Sequence, residues 1–127
     1  MSEQPISINA VVVLNDLIFE TKIRSTAAAV GAQVAFARSP ADLSRLLAGE
    51  DRVLVIVDLN SSDADPMGAI RAARDASNVE RIVAFVSHVD TDLAEEGRAA
   101  GASEVMPRSR FSATLEKLLG DAASVQS

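Results

Sequence analysis

Asp58 closes the apolar run Val53-Leu54-Val55-Ile56-Val57 and opens the polar stretch Leu59-Asn60-Ser61-Ser62-Asp63-Ala64-Asp65. A carboxylate just past a buried strand stands where open parallel sheets gather ligand chemistry, in the crevice beyond the strands' carboxyl ends. There it needs a partner or water. Other chemistry is sparse. Ser87 and the single histidine, His88, are sequence neighbours, whereas hydrolysis needs a base placed across a crevice from its nucleophile. With no cysteine and no second histidine, His88 cannot build a metal site and reads as a solvated loop residue. Asp63 and Asp65 suit a turn and a helix cap, since a calcium loop needs more oxygen ligands at regular spacing.

The elements that position Asp58 alternate strictly along the chain. Ile8 to Leu14 is a Val-rich strand; Asp16 caps a helix carrying Phe19, Ile23, Ala27 and Val30, which Gly31 stops. A second strand, Gln33 to Ala37, leads through Ser39-Pro40, as N-cap and first helical residue, into a helix with Leu43, Leu46 and Leu47 on one face, ended by Gly49. Val53 to Val57 is the third strand, and Asp65-Pro66 opens a helix to about Ala76. Arg81 to Val86 is the fourth strand, followed by the loop Ser87-His88-Val89-Asp90 and a helix capped by Thr91 and ending at Gly101. A short strand, Glu104 to Met106, passes through Pro107-Arg108-Ser109-Arg110 into a last helix carrying Phe111, Leu115, Leu118 and Leu119.

Five such units with apolar strands predict an α/β fold, a doubly wound five-stranded parallel sheet covered on both faces, in strand order 2-1-3-4-5. In that order Leu14, Asn15, Asp16, Asp58, Ser87 and Arg108 converge on one crevice. The 127 residues form a single domain, large enough to bury about two-thirds of its unfolded surface. The core spans about 8–119, with 1–7 and 121–127 as frayed tails. No apolar stretch approaches the ~20 residues that span a bilayer, and no signal-peptide pattern opens the chain, so a cytoplasmic protein is expected. A net charge of −6, no Lys/Arg cluster, and no Trp or Tyr argue against nucleic acid as a partner. The turn Val13-Leu14-Asn15-Asp16-Leu17-Ile18 contains no glycine, which excludes a dinucleotide-binding loop.

With Asp58 in Val-Asp-Leu-Asn, Ser87 after the fourth strand and Gly101-Ala102 before the fifth, the chain resembles the receiver domain of bacterial two-component response regulators over roughly 8–119. The resemblance implies a flavodoxin-like (βα)5 fold in a stand-alone signalling module rather than an enzyme. It implies that Asp58 is the phosphoacceptor, served by a histidine kinase, and that Ser87 and the residue at the position of Arg108 contact the phosphoryl group. It further implies Mg²⁺ held by an acidic pair after the first strand, and a partner surface made by helix four, strand five and helix five, about Asp92 to Leu119, through which a homodimer is also open.

The chain departs from that pattern where the chemistry sits. The acidic pair falls on Leu14 and Asn15, with Asp16 one position late; Arg108 replaces a Lys, Ser109 a Pro, and Val105 an aromatic. Asn15, Asp16, Asp58 and Asn60 remain weak metal ligands, because Mg²⁺ wants clustered carboxylates. A guanidinium can fork onto a carboxylate, so an Asp58-Arg108 ion pair is expected in place of a metal site. The favoured reading is a degenerate receiver with no cofactor that works by docking a signalling protein. The alternative is a working phosphoacceptor, with Mg²⁺ and a histidine kinase, whose site is rebuilt from Asn15, Asp16 and Arg108. Under the bland reading Asp16 is only a helix cap, Ser87 a strand-end cap, and Asn60 a turn contact.

Overall fold

The computed structural model describes residues 7–49, 51–87 and 91–125; His88, Val89 and Asp90 lie outside them. Five strands, β1 (Ala10–Val13), β2 (Val34–Ala37), β3 (Val53–Asp58), β4 (Val79–Val86) and β5 (Glu104–Pro107), alternate with five helices. These are α1 (Leu17–Val30), α2 (Pro40–Leu46), α3 (Pro66–Asp75), α4 (Thr91–Ala100) and α5 (Arg108–Val125). The strands are all parallel, in the order β2-β1-β3-β4-β5, as predicted. No helix among the described residues is long and apolar enough to cross a membrane.

Period-two alternation splits the core into two layers. Val11, Val13, Val55, Val57 and Ala84 face α2, α3 and α4, where Leu43, Ile70 and Ala73 meet them. Val12, Leu14, Ile56, Val83 and Phe85 face α1 and α5, packing on Ile23, Phe111, Leu115 and Leu119. Both faces of β1 and β3 are buried, which is why these strands read as unbroken apolar runs.

Three of the N-caps predicted from sequence form, whereas Thr91 is the first residue of α4 rather than its cap. Asp16 accepts from Phe19 N–H at 3.0 Å, Ser39 from Asp42 N–H at 3.0 Å, and Asp65 from Gly68 N–H at 3.1 Å. Gly31 ends α1 at φ 75°, a left-handed conformation that disfavours any residue with a Cβ. Two boundaries differ in ways that matter to the site. The 107–110 segment is not a connecting loop: α5 begins at Arg108, directly after β5. Nor is 121–125 a frayed tail, because α5 continues to Val125, with Ala122 and Ala123 packed on the core and Lys117 paired with Asp121 at 2.9 Å. A single 3-10 turn at Ser62–Ala64, unforeseen in the sequence, follows β3.

Glu20 lies on the buried side of α1, only 8% exposed. Its carboxylate accepts from Arg38 at 2.6 Å and from Arg24 at 3.0 and 3.2 Å. Arg38 also donates to the Leu14 carbonyl at 2.8 Å. The network thus pins the turn that carries Asn15 and Asp16. Burial pushes the Glu20 carboxyl up, but the hydrogen bonds from Arg38 and then Arg24 outweigh it and hold the group below its ordinary 4.5. A carboxyl depressed in the folded state contributes stability that is complete above its unfolded value and is lost as pH falls through the folded one. Glu20→Gln is therefore expected to cost about 1–2 kcal/mol at neutral pH and to flatten the loss of stability below pH 4.5. Thermal melts against pH check this; a variant as stable and as acid-sensitive as wild type would remove the network's anchoring role.

Candidate functional site

The carboxyl ends of β1, β3, β4 and β5 enclose a crevice of about 270 Å³ that brings together Asn15, Asp16, Asp58, Asn60, Ser87 and Arg108. Five of the residues expected from the sequence to converge here, together with Asn60, therefore share one site. Leu14 does not; it is fully buried in the layer under α1 and α5, and turns no ligand atom to the crevice.

Asp58 ends β3 and is 4% exposed. Both of its carboxylate oxygens have partners within its own loop: Asn60 N–H donates to Oδ1 at 2.9 Å, and the Ser61 hydroxyl donates to Oδ2 at 2.9 Å. Ser61 Oγ in turn accepts from Asn15 N–H at 3.0 Å, and Asn60 Oδ1 accepts from Ser87 N–H at 2.6 Å. Sequence reasoning missed Ser61. The signal was present in Asp58-Leu59-Asn60-Ser61, where a hydroxyl three residues after a strand-end carboxylate can fold back onto it.

The expected Asp58-Arg108 ion pair does not form. Arg108 Nη2 donates to Asp16 Oδ2 at 2.6 Å instead. As the first residue of α5, Arg108 rises on the α1/α5 side of the sheet, and its guanidinium lies over the Phe19 ring with Cζ 4.2 Å from the centroid. Phe19, Phe85 and Phe111 pack on one another, with Phe85 and Phe111 stacked at 4.3 Å. This aromatic floor aims Arg108 at the N-terminus of α1 and away from β3. The buried Arg108 Nε has no hydrogen-bond partner.

Asp16 thus serves twice, capping α1 with one oxygen and holding Arg108 with the other. The backbone N–H of Phe19 first, then Arg108, holds its carboxyl below the ordinary 3.8. Among the described residues, no group of three His, Cys, Asp or Glu side chains is placed to hold a metal ion.

No protein-family model matches the sequence, and no curated protein matches it. Solved structures do match. A Burkholderia pseudomallei response regulator, described with a phosphorylated aspartate, calcium and citrate, superposes with a TM-score of 0.73 at 18% identity, covering 94% of this chain and 71% of that one. The chain has the receiver fold. The receiver domain of a Pseudomonas aeruginosa sensor histidine kinase, with magnesium in its active-site cleft, gives a TM-score of 0.73 at 18% identity over 91% of this chain and 97% of that one. CheY4 of Vibrio cholerae, a chemotaxis response regulator, gives 0.72 at 18%, over 92% and 99%.

The geometry predicts how charge is coupled there. In a double-mutant cycle of Asp16→Asn with Arg108→Ala, the expected coupling is about 0.5–1 kcal/mol, because both side chains are part-exposed, at 36% and 30%. The amide of Asp16→Asn still caps α1, so the cycle isolates the ion pair. The same cycle for Asp58→Asn with Arg108→Ala should fall within ~0.3 kcal/mol of zero. Urea unfolding measures both, and the reverse ranking would place Arg108 on Asp58 in solution.

Proposed function

We propose that this chain is a receiver-like signalling module of the bacterial cytoplasm that works through protein–protein contacts, and that its site is degenerate toward phosphoryl transfer. The observation that carries this reading is the state of Asp58 and Asp16. Asp58 has both oxygens engaged by its own loop, and Asp16 is bound by Arg108.

Mg²⁺ does not fit this donor set. The ion needs near-octahedral oxygen ligation and enough negative charge to offset its dehydration. Leu14 offers an alkyl group, Asn15 a neutral amide, and Asp16 a carboxylate already neutralised by a guanidinium. Each unit charge missing at about 4 Å removes as much as ~4 kcal/mol at an effective dielectric near 20, before relaxation reduces it. Phosphoryl transfer rests almost wholly on positioning and charge neutralisation, so a site without the ion loses most of what would drive it.

The partner surface we assign is the face made by α4, β5 and α5, within Asp92 to Leu119. An apolar groove of about 180 Å³ runs between α4 and β5, lined by Val86, Ala94, Val105 and Met106, with Glu95 and Arg98 beside them. Val105, where the resemblance expects an aromatic, leaves that groove open. Its occupant on this reading is a signalling protein, a histidine kinase, or a second copy of the chain. A second reading, phosphoacceptance at Asp58, draws on one observation: Asp58, Ser87 and Arg108 line the same crevice.

Titration with Mg²⁺, with and without beryllofluoride, separates the two when the amide signals of Asp58, Ser87 and Arg108 are followed by NMR. Beryllofluoride mimics an aspartyl phosphate and requires a divalent ion. No saturable shift at millimolar Mg²⁺ is expected; saturation would establish a working phosphoreceiver. Partner binding should likewise be unchanged by the mimic, and a marked strengthening in a pull-down titration would count against the degenerate reading.

A further inference from the structure

An unbroken series of four hydrogen bonds links the ends of three adjacent strands, and the Asp58 carboxylate is its midpoint. From the β1–α1 turn, Asn15 N–H donates to Ser61 Oγ at 3.0 Å, and that hydroxyl donates to Asp58 Oδ2 at 2.9 Å. From the other side, Ser87 N–H donates to Asn60 Oδ1 at 2.6 Å, and Asn60 N–H donates to Asp58 Oδ1 at 2.9 Å. A serine hydroxyl has one proton and accepts with its lone pairs, so Ser61 can face an N–H and a carboxylate at once. A carboxylate only accepts, so two donors from opposite directions suit it without any cation. Ser61 and Asp58 are both buried, at 9% and 4% exposure, where bonds of this kind are strengthened and costly to break.

The series also touches the partner-facing side. Leu59, between Asp58 and Asn60, bonds through its N–H to the Phe85 carbonyl at 3.0 Å. Its side chain lies under α4 so closely that a Cβ on Gly97 would come within 3.1 Å of Leu59 Cδ1 and 3.5 Å of Val105 Cγ2. A shift of the 58–61 loop therefore meets α4 and β5 directly, without an aromatic to relay it.

We propose that Asp58, Ser61 and Asn60 form a cation-independent latch, in which Ser61 and Asn60 are positioning residues that hold the β1–α1 turn and the Ser87 end of β4 in one arrangement and thereby set α4 against β5. The latch rests on the reading that no metal performs this bridging. It assigns Asp58 a standing structural task, that of accepting donors from its own loop.

The test is site-resolved amide hydrogen exchange and thermal melting of the full chain in EDTA. Ser61→Ala is expected to speed exchange at Asn15 about tenfold, the equivalent of one hydrogen bond, while Ser87 keeps its rate. Asn60→Ala should do the reverse, speeding Ser87 and sparing Asn15. Both should move the amide shifts of Gly97 and Val105. Asp58→Asn replaces an acceptor with a donor, so it should lower the Tm by roughly 5 °C. A carboxylate under repulsion from acidic neighbours would instead gain stability on neutralisation. A higher Tm for Asp58→Asn, or equal acceleration at Asn15 and Ser87 in both single variants, would overturn the latch. Saturable Mg²⁺–beryllofluoride binding by wild type, with the selective pattern intact in EDTA, would overturn the degenerate function and support the latch in the ion-free protein. Loss of the pattern without Mg²⁺ binding would do the opposite.

Discussion

A carboxylate buried at the end of a central strand must be met by donors or by a cation, because transfer of an uncompensated charge from water costs far more than a domain of this size can offset. In this protein that requirement falls on Asp58, and the chain meets it from within. A backbone N–H and a hydroxyl of the 58–61 loop take one oxygen each. The loop must therefore turn tightly, which the 3-10 turn at Ser62–Ala64 continues before Asp65 and Pro66 start α3. The local path after β3 follows from the need to satisfy one side chain.

A second charge, Arg108, is placed by packing rather than by electrostatics alone. A cation at the first residue of a helix opposes the helix dipole, so α5 gains by having an acidic partner close to that end. Three carboxylates border the crevice, Asp16, Asp58 and Asp63, and the aromatic floor decides among them. With its guanidinium over Phe19, Arg108 reaches the N-terminus of α1 and joins Asp16. Asp16 had been recognisable as a helix cap, and capping is what fixes its rotamer for the ion pair. The α1 and α5 ends are thus tied together on one side of the crevice, while the Asp58 loop is tied to β1 and β4 on the other.

The legible part of this architecture is the part written in short-range pattern. Buried valine runs marked β1 and β3, and Asp16, Ser39-Pro40, Asp65-Pro66 and Gly31 marked helix ends, because each device acts within a few residues. The strand order then brought the right candidates to one crevice. What stayed hidden depends on contacts between distant segments: Glu20 with Arg38, Asn15 with Ser61, and Arg108 with Asp16 rather than Asp58. The choice of partner for Arg108 turns on where a helix begins. Reading 107–110 as a loop left the guanidinium free to reach β3, whereas α5 starting at Arg108 carries it over Phe19. The end of α5 was missed for a similar reason, since Ala122 and Ala123 contribute too little apolar area to reveal from sequence that they lie against a core.

On the proposed reading, the direction of information through the domain follows from differential affinity. A ligand shifts a conformational equilibrium only by as much as it binds one state better than the other. A phosphoryl group gains such leverage in a receiver by recruiting a cation, a hydroxyl and an aromatic that are otherwise uncommitted. Here several of the equivalents are engaged or missing: Asp58 already holds two donors, Arg108 holds Asp16, and position 105 is a valine. A place where binding can favour one arrangement is the groove between α4 and β5, whose lining residue Val105 lies close to Gly97, which in turn packs on Leu59. Coupling through packed side chains works equally in both directions, as linkage requires. A partner seated on that groove would therefore be the input, and the state of the Asp58 loop its consequence.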